Sequence, residues 1–393
     1  MSFDYSSVLS KRVEGLKPSG IRKFFDLLEQ KEMSDVIALT VGQPDFVTPW
    51  HIREAGITSL EKGKTYYTSN AGTMELREEI TKYLSRRFSL TYSAKDEIIV
   101  TVGGSEAIDL AIRATVDPGD EVILPTPSFV CYEPIVHLAS GKTVEIPLKE
   151  ENNFRLTADE LRAAITDKTK LLILPFPANP TGAIMEKEDM EAIAEVLRGT
   201  DILVLTDEIY SELTNGKKHF SFAATPDMRE RTIVVNGFSK AYAMTGWRLG
   251  FTAAPAPITK QMLKIHQFAI MSSPTTAQFA AIEALREGDE DVEEMKAEYN
   301  RRRTHLVKRL REIGIQCFTP EGAFYVFPNI SGFGLTSEEF CEKLLLEYGV
   351  AIVPGTAFGA CGEGFARISY AYSMKHIDQA LDRMEKMIKD LKK

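Results

Sequence analysis

The chain has 393 residues, 44% of them hydrophobic and 26% charged, with a formal net charge of −9. That length exceeds most single domains and predicts two, while the acidic balance argues against a nucleic-acid partner, since phosphate backbones are bound through basic surfaces. No apolar run reaches membrane-spanning length, and the opening MSFDYSSVLSKRVEGLKPSG lacks the apolar stretch of a signal peptide, so a soluble cytoplasmic protein is expected. Cys131, Cys317, Cys341, Cys361 and the six histidines are scattered without metal-ligand spacing, so no metal is expected.

Residues 1–40 predict an N-terminal arm that joins a smaller domain. Between about 95 and 255, short apolar runs alternate with amphipathic stretches; the runs fall at 97–102, 121–124, 143–147, 170–175, 202–206, 232–236 and 249–253. Continuous apolar strands separated by helical segments predict an α/β fold, with a mostly parallel seven-stranded sheet covered by helices on both faces. Ligands of such sheets bind at the C-terminal strand edge. Residues 276–313 predict one long charge-rich helical region, with Gly314 as its stop. Short strands at 324–327, 350–353 and 365–370, an amphipathic segment at 336–348 and a terminal helix from about 374 predict a smaller α+β unit. The expected division is 41–285 for the large domain and 286–393 for the small one.

Each predicted strand end in the large domain carries a polar segment. After Val102 come Gly103, Gly104 and Ser105, then a helix; free N–H groups and the positive dipole end there suit an anion, although the same glycines would serve a plain chain reversal. After Pro175 comes Asn179 between two prolines, which hold its amide in one direction or simply make a rigid turn. Asp207 ends the strand ILVLT and either caps the next helix or meets a cation such as a protonated heterocyclic nitrogen. Lys240, in Gly-Phe-Ser239-Lys, follows the apolar strand TIVVN; a surface lysine fits that setting less well than an amine able to condense with a carbonyl. Arg248 adds a guanidinium suited to a phosphate dianion.

Beyond these segments the chain carries VGQPDF, YYTSNAG, TVGGSEAI, PANPTG, TDEIY, NGFSKAYAMTGWRLG, GAFYVFP, VPGTAFG and ARISYA, in that order. In their order and spacing they resemble the class I/II aminotransferases, pyridoxal-phosphate-dependent enzymes of fold type I, over nearly the whole chain. The resemblance implies pyridoxal 5'-phosphate as cofactor, Lys240 as its Schiff-base lysine and α-proton base, and Asp207 as the partner of the pyridine nitrogen. It places Asn179 and Tyr210 on the 3-hydroxyl oxygen, and Gly103, Gly104, Ser105, Ser239 and Arg248 about the phosphate. It implies that Phe129 stacks on the ring and that Tyr67 reaches a phosphate across a homodimer interface. Arg367 would grip the substrate α-carboxylate, helped by Asn179 and the backbone of Gly42, with the segment around Ile21 closing as a lid.

The activity so implied is ping-pong transfer of an L-amino acid's α-amino group to a 2-oxo acid. Ser105 stands where some aspartate aminotransferases of the subgroup carry a lysine for the distal carboxylate. SGIRKF, TDEIYSEL and AFGACGEGFARISYA look like a bacterial branch associated with aromatic amino acids and N-acetyl-diaminopimelate. An aromatic amino acid or glutamate is the expected donor and 2-oxoglutarate the acceptor. Aspartate or N-acetyl-diaminopimelate aminotransferase is the alternative within the reaction class, and a carbon–sulfur β-lyase the alternative outside it.

Overall fold

A computed structural model describes residues 3, 5, 8–16 and 35–392. Its strands in chain order are β1 (Ile37–Ala38), β2 (Ile98–Thr101), β3 (Glu121–Thr126), β4 (Lys142–Pro147), β5 (Thr169–Leu174) and β6 (Leu203–Asp207). They continue as β7 (Thr232–Gly237), β8 (Gly250–Ala253), β9 (Tyr325–Val326), β10 (Val350–Ala351), β11 (Val353–Pro354) and β12 (Ala366–Ser369).

Seven strands form the central sheet in the order β2-β8-β7-β6-β5-β3-β4, parallel except that β8 runs against both neighbours. The seven apolar runs between 97 and 253 each coincide with one of them. β3 runs beyond its apolar stretch to Thr126 because pairing with β4 continues through Pro125 and Thr126. β7 and β8 are buried at every position, whereas β4, at the sheet edge, keeps Lys142 and Glu145 exposed.

Side chains alternate between faces along a strand, and the sheet uses both. Ile98, Val100 and Val234 pack with helices Met74–Phe88 and Thr275–Glu287. Ile99, Ile233 and Val235 point the other way, against helices Gly104–Thr115 and Ala256–Ala269.

A second core gathers β9 and β12 of the three-stranded antiparallel sheet β11-β12-β9, the parallel pair β1-β10, and helices Asp289–Glu312, Ser337–Tyr348 and Met374–Leu391. Helix Ser337–Tyr348 begins with a capping box between Thr336 and Glu339 and ends at Gly349, whose φ of 66° suits a residue without a side chain. Ile377, Ala380, Leu381, Met384, Met387 and Ile388 form the buried stripe of the last helix.

The helical region predicted as one piece is two helices, Thr275–Glu287 and Asp289–Glu312, meeting at Gly288. A Cβ on Gly288 would lie 2.6 Å from the Ala284 carbonyl oxygen, so glycine lets the chain turn there. No helix among the described residues is long and apolar enough to cross a membrane.

The turn after β2 presses directly on β8. A Cβ on Gly250 would sit 2.8 Å from the carbonyl carbon of Gly103 and 2.9 Å from the amide nitrogen of Gly104. Gly250→Ala should therefore lower stability by about 2 kcal/mol in urea unfolding, the usual cost of overpacking against backbone; an unchanged midpoint would show that the turn is free to move.

Candidate active site

Parallel strands deliver their C-terminal ends to one edge, and the reversed β8 delivers its N-terminal end there too. This is how Arg248, two residues before β8, arrives beside the turn after β2. The edge and the second body enclose a cavity of about 340 Å³, a size suited to a small ligand. Gly42, Gly104, Ser105, Phe129, Asn179, Asp207, Tyr210, Ser239, Lys240, Arg248 and Arg367 all line it. Gly103 lies just behind, under Arg248. Tyr67 is 78% exposed and is not among the lining residues of its own chain. Ile21 lies outside the described residues.

Lys240 donates from Nζ to the carbonyl oxygen of Gly42 at 2.6 Å. Burial, followed by the nearby Arg367 and Arg248 charges, brings its pKa down to about 8, against the opposing pull of Asp207. An appreciable fraction is thus a neutral, nucleophilic amine at mildly alkaline pH.

Asp207 closes β6 with 7% of its surface exposed. Its carboxylate accepts from the Tyr132 hydroxyl at 2.7 Å and from the Ile209 amide at 3.1 Å. Burial pushes its pKa up, opposed by these two bonds. It forms no ion pair among the described residues, so a cationic ring nitrogen would relieve the cost of its burial.

Arg367, on β12, is 2% exposed and donates to Asn179 Oδ1 at 2.8 Å and to the Thr40 carbonyl. Its Nε finds no acceptor among the described residues. The guanidinium lies over the rings of Tyr325, at 4.6 Å, and Phe358, at 4.8 Å. A fork so fixed, with a donor to spare, suits a carboxylate.

The anion corner is built from backbone. Gly103 has φ +79°, and a Cβ there would meet Arg248 Nη2 at 2.6 Å. The helix that follows starts at Gly104, beside the hydroxyls of Ser105 and Ser239. Glu106 secures the turn from behind, accepting from the Val102 amide, while its other oxygen lies 2.6 Å from Nδ1 of the fully buried His266. Helix start, hydroxyls and Arg248 together fit a phosphate, and the whole donor set fits a phosphorylated pyridine aldehyde.

The sequence motifs do not single out Tyr132, Tyr325, Thr40, Glu106 or His266. Tyr132 lies three residues beyond Phe129, Tyr325 inside GAFYVFP and Glu106 inside TVGGSEAI, but nothing local to them tells which group each would meet. His266 carries no local signal at all.

The family model for aminotransferase class I and II matches residues 34–384. An aspartate aminotransferase of Pyrococcus abyssi is 47% identical over 387 residues, covering 98% of this chain and 99% of that protein. The aromatic-amino-acid aminotransferase 2 of Thermococcus litoralis is 45% identical over 387 residues, with 98% and 99% covered. The crystal structure of an aromatic aminotransferase from Pyrococcus horikoshii superposes with a TM-score of 0.90 at 45% identity, covering 95% of this chain and 99% of that one.

The amine at Lys240 sets a pH test. In cofactor-free protein, carbamylation of Lys240 by cyanate, read by peptide mass spectrometry, should rise with a midpoint of about 8. Ordinary lysines should go on rising toward about 10.4; a Lys240 profile that coincides with theirs would refute the depressed pKa. Because the folded protein releases this proton before the unfolded chain does, the group's contribution to stability should increase between those two pH values.

Proposed function

The chain belongs to the class I and II aminotransferase family, whose enzymes depend on pyridoxal 5'-phosphate, and from that premise we propose how its own residues divide the work. The protein is an aminotransferase. The observation that carries the assignment of roles is the desolvated Lys240 amine, held in one cavity with Asp207, Arg248 and Arg367.

Pyridoxal phosphate, when bound, supplies an electron sink that makes a substrate α-proton removable. The backbone at Gly103 and Gly104, with Ser105, Ser239 and Arg248, holds the phosphate. Asp207, kept in place by Tyr132, keeps the ring nitrogen protonated. Asn179 and Tyr210 meet the 3-oxygen, and Phe129 covers a ring face. Arg367 grips the substrate α-carboxylate, with Asn179 and the Gly42 backbone beside it. Lys240 takes the α-proton at Nζ and returns it, and the Gly42 carbonyl orients that nitrogen.

The donor we infer is an aromatic amino acid or glutamate, with 2-oxoglutarate as acceptor. Among the described residues the basic side chains lining the cavity are Lys240, Arg248 and Arg367, each already given a task. Ser105 supplies no charge for a distal carboxylate, which favours the aromatic donor over glutamate, and the aromatic names of the Thermococcus relative and the Pyrococcus horikoshii structure point the same way.

A homodimer acting in the cytoplasm is part of this reading. Tyr67 does not line its own chain's cavity, and Tyr66, Tyr67 and Met271 are all exposed, with the Tyr66 carbonyl accepting from the Thr275 hydroxyl. That apolar surface suits a second copy, whose phosphate Tyr67 would reach.

With cofactor-loaded protein and single amino acids but no acceptor, transamination should release no more than one 2-oxo acid per site, fastest from an aromatic donor. Continuing release of pyruvate and ammonia would instead establish β-elimination. Lys240→Ala should lower kcat by at least about a thousandfold, the scale of a lost proton-transfer group. Tyr67→Phe should weaken cofactor retention about tenfold, as for a lost hydrogen bond to a charged group; unchanged retention in equilibrium dialysis would count against the shared site.

A further inference from the structure

Tyr325 touches three of the groups to which the preceding reading gives separate tasks. It lies on β9 opposite Ser369 of β12, so Arg367, two residues earlier on β12, is its diagonal neighbour on the same face. The ring therefore lies beneath the guanidinium, whose central carbon is 4.6 Å from the ring centroid. The Tyr325 hydroxyl is 2.8 Å from the hydroxyl of Tyr210, both side chains being buried. The same oxygen fills the space that a side chain on Gly42 would need, and Gly42 supplies the carbonyl that holds Lys240.

We propose that Tyr325 is a positioning residue that couples recognition of the substrate carboxylate to the cofactor's ring oxygen: its ring supports Arg367 while its hydroxyl donates to Tyr210. The proposal rests on the reading that Tyr210 meets the ring oxygen. A phenol that gives its own proton to the cofactor keeps a lone pair free to accept one, and in this structure Tyr325 is the hydroxyl that faces it. Donation from Tyr325 strengthens the bond that Tyr210 makes, because successive hydrogen bonds polarise one another. A stronger donor at the ring oxygen favours the deprotonated state of the bound cofactor, in which that oxygen shares its negative charge with no proton. The charged groups facing the tyrosine pair are Arg367 from β12, Asp207 at the end of β6 and Lys240 beyond β7, the last with Nζ 5.7 Å from the Tyr210 ring centroid. None of them changes when the hydroxyl is removed.

Two variants separate the roles. Tyr325→Phe keeps the ring and removes the hydroxyl, whereas Tyr325→Leu removes both. The readouts, on pyridoxal-phosphate-loaded protein, are the pH midpoint of the cofactor's visible absorbance and the Kd of 3-phenylpropionate, a carboxylate with no amine to react. Tyr325→Phe should raise the midpoint by about half a pH unit, the worth of one neutral hydrogen bond. It should leave the Kd of 3-phenylpropionate within about twofold, and Tyr325→Leu should weaken that binding about fivefold, as for a lost cation–π support. An unchanged midpoint in Tyr325→Phe, or equal weakening of 3-phenylpropionate by both variants, would overturn the proposal. If Tyr325→Leu does not fold, the Tyr325→Phe midpoint decides alone. A parent protein that gains no visible band with pyridoxal phosphate would overturn the cofactor roles themselves, an outcome distinct from failure of the Tyr325 coupling.

Discussion

Lys240 sits largely out of water, half-buried, with two arginines near it and one carboxylate to offset them. Its burial and the repulsion from Arg367 and Arg248 act in the same direction, toward a neutral amine. In a low-dielectric cleft such interactions are far stronger than on a surface, so the surrounding structure must hold every charge in place. The reversed β8 is part of that arrangement, because a parallel strand would have carried Arg248 to the opposite edge.

The charges are anchored largely by groups without charge. Tyr132 and a backbone amide hold Asp207, the Gly42 carbonyl holds Lys240, and Asn179 with the Thr40 carbonyl holds Arg367. Neutral donors and acceptors satisfy the buried groups without cancelling their charge, which stays available to a ligand. Glu106 with His266 is a different solution, a partly buried acid steadying the turn after β2. Here the histidine offers its own nitrogen to the carboxylate, and the Val102 amide takes the other oxygen.

The cavity is divided between two cores. The turn after β2, Asp207 at the end of β6, and Lys240 lie at the large sheet's edge, whereas Tyr325 and Arg367 come from the three-stranded sheet of the second body. Gly42 and Thr40 follow β1, which pairs with β10 of that same second body. The relative placement of Lys240 and Arg367 therefore depends on how the two bodies meet, and the Tyr210–Tyr325 hydroxyl pair lies on that junction.

Local pattern was enough to locate the strands, because strands buried on both faces read as continuous apolar runs. It also drew attention to Lys240, Asp207 and Arg248 near buried strand ends, although for Asp207 a helix cap stayed open until the motifs were read together. The break at Gly288 was hidden, since apolar periodicity and charge continue across it and only the approach of the Ala284 carbonyl makes the glycine necessary. The partners of the site charges were hidden for a different reason. Tyr132 and Asp207 are 75 residues apart, Tyr210 and Tyr325 115, and Glu106 and His266 160. A buried tyrosine or histidine looks the same in sequence whichever group it meets. The sequence by itself thus determined the strands and a mostly parallel sheet, because these follow from periodicity, while the resemblance of its motifs implied the chemistry at the sheet's edge. Only the tertiary structure decided which hydroxyl holds which charge and that Tyr325 stands beneath Arg367, because those pairings depend on the packing of elements far apart in the chain.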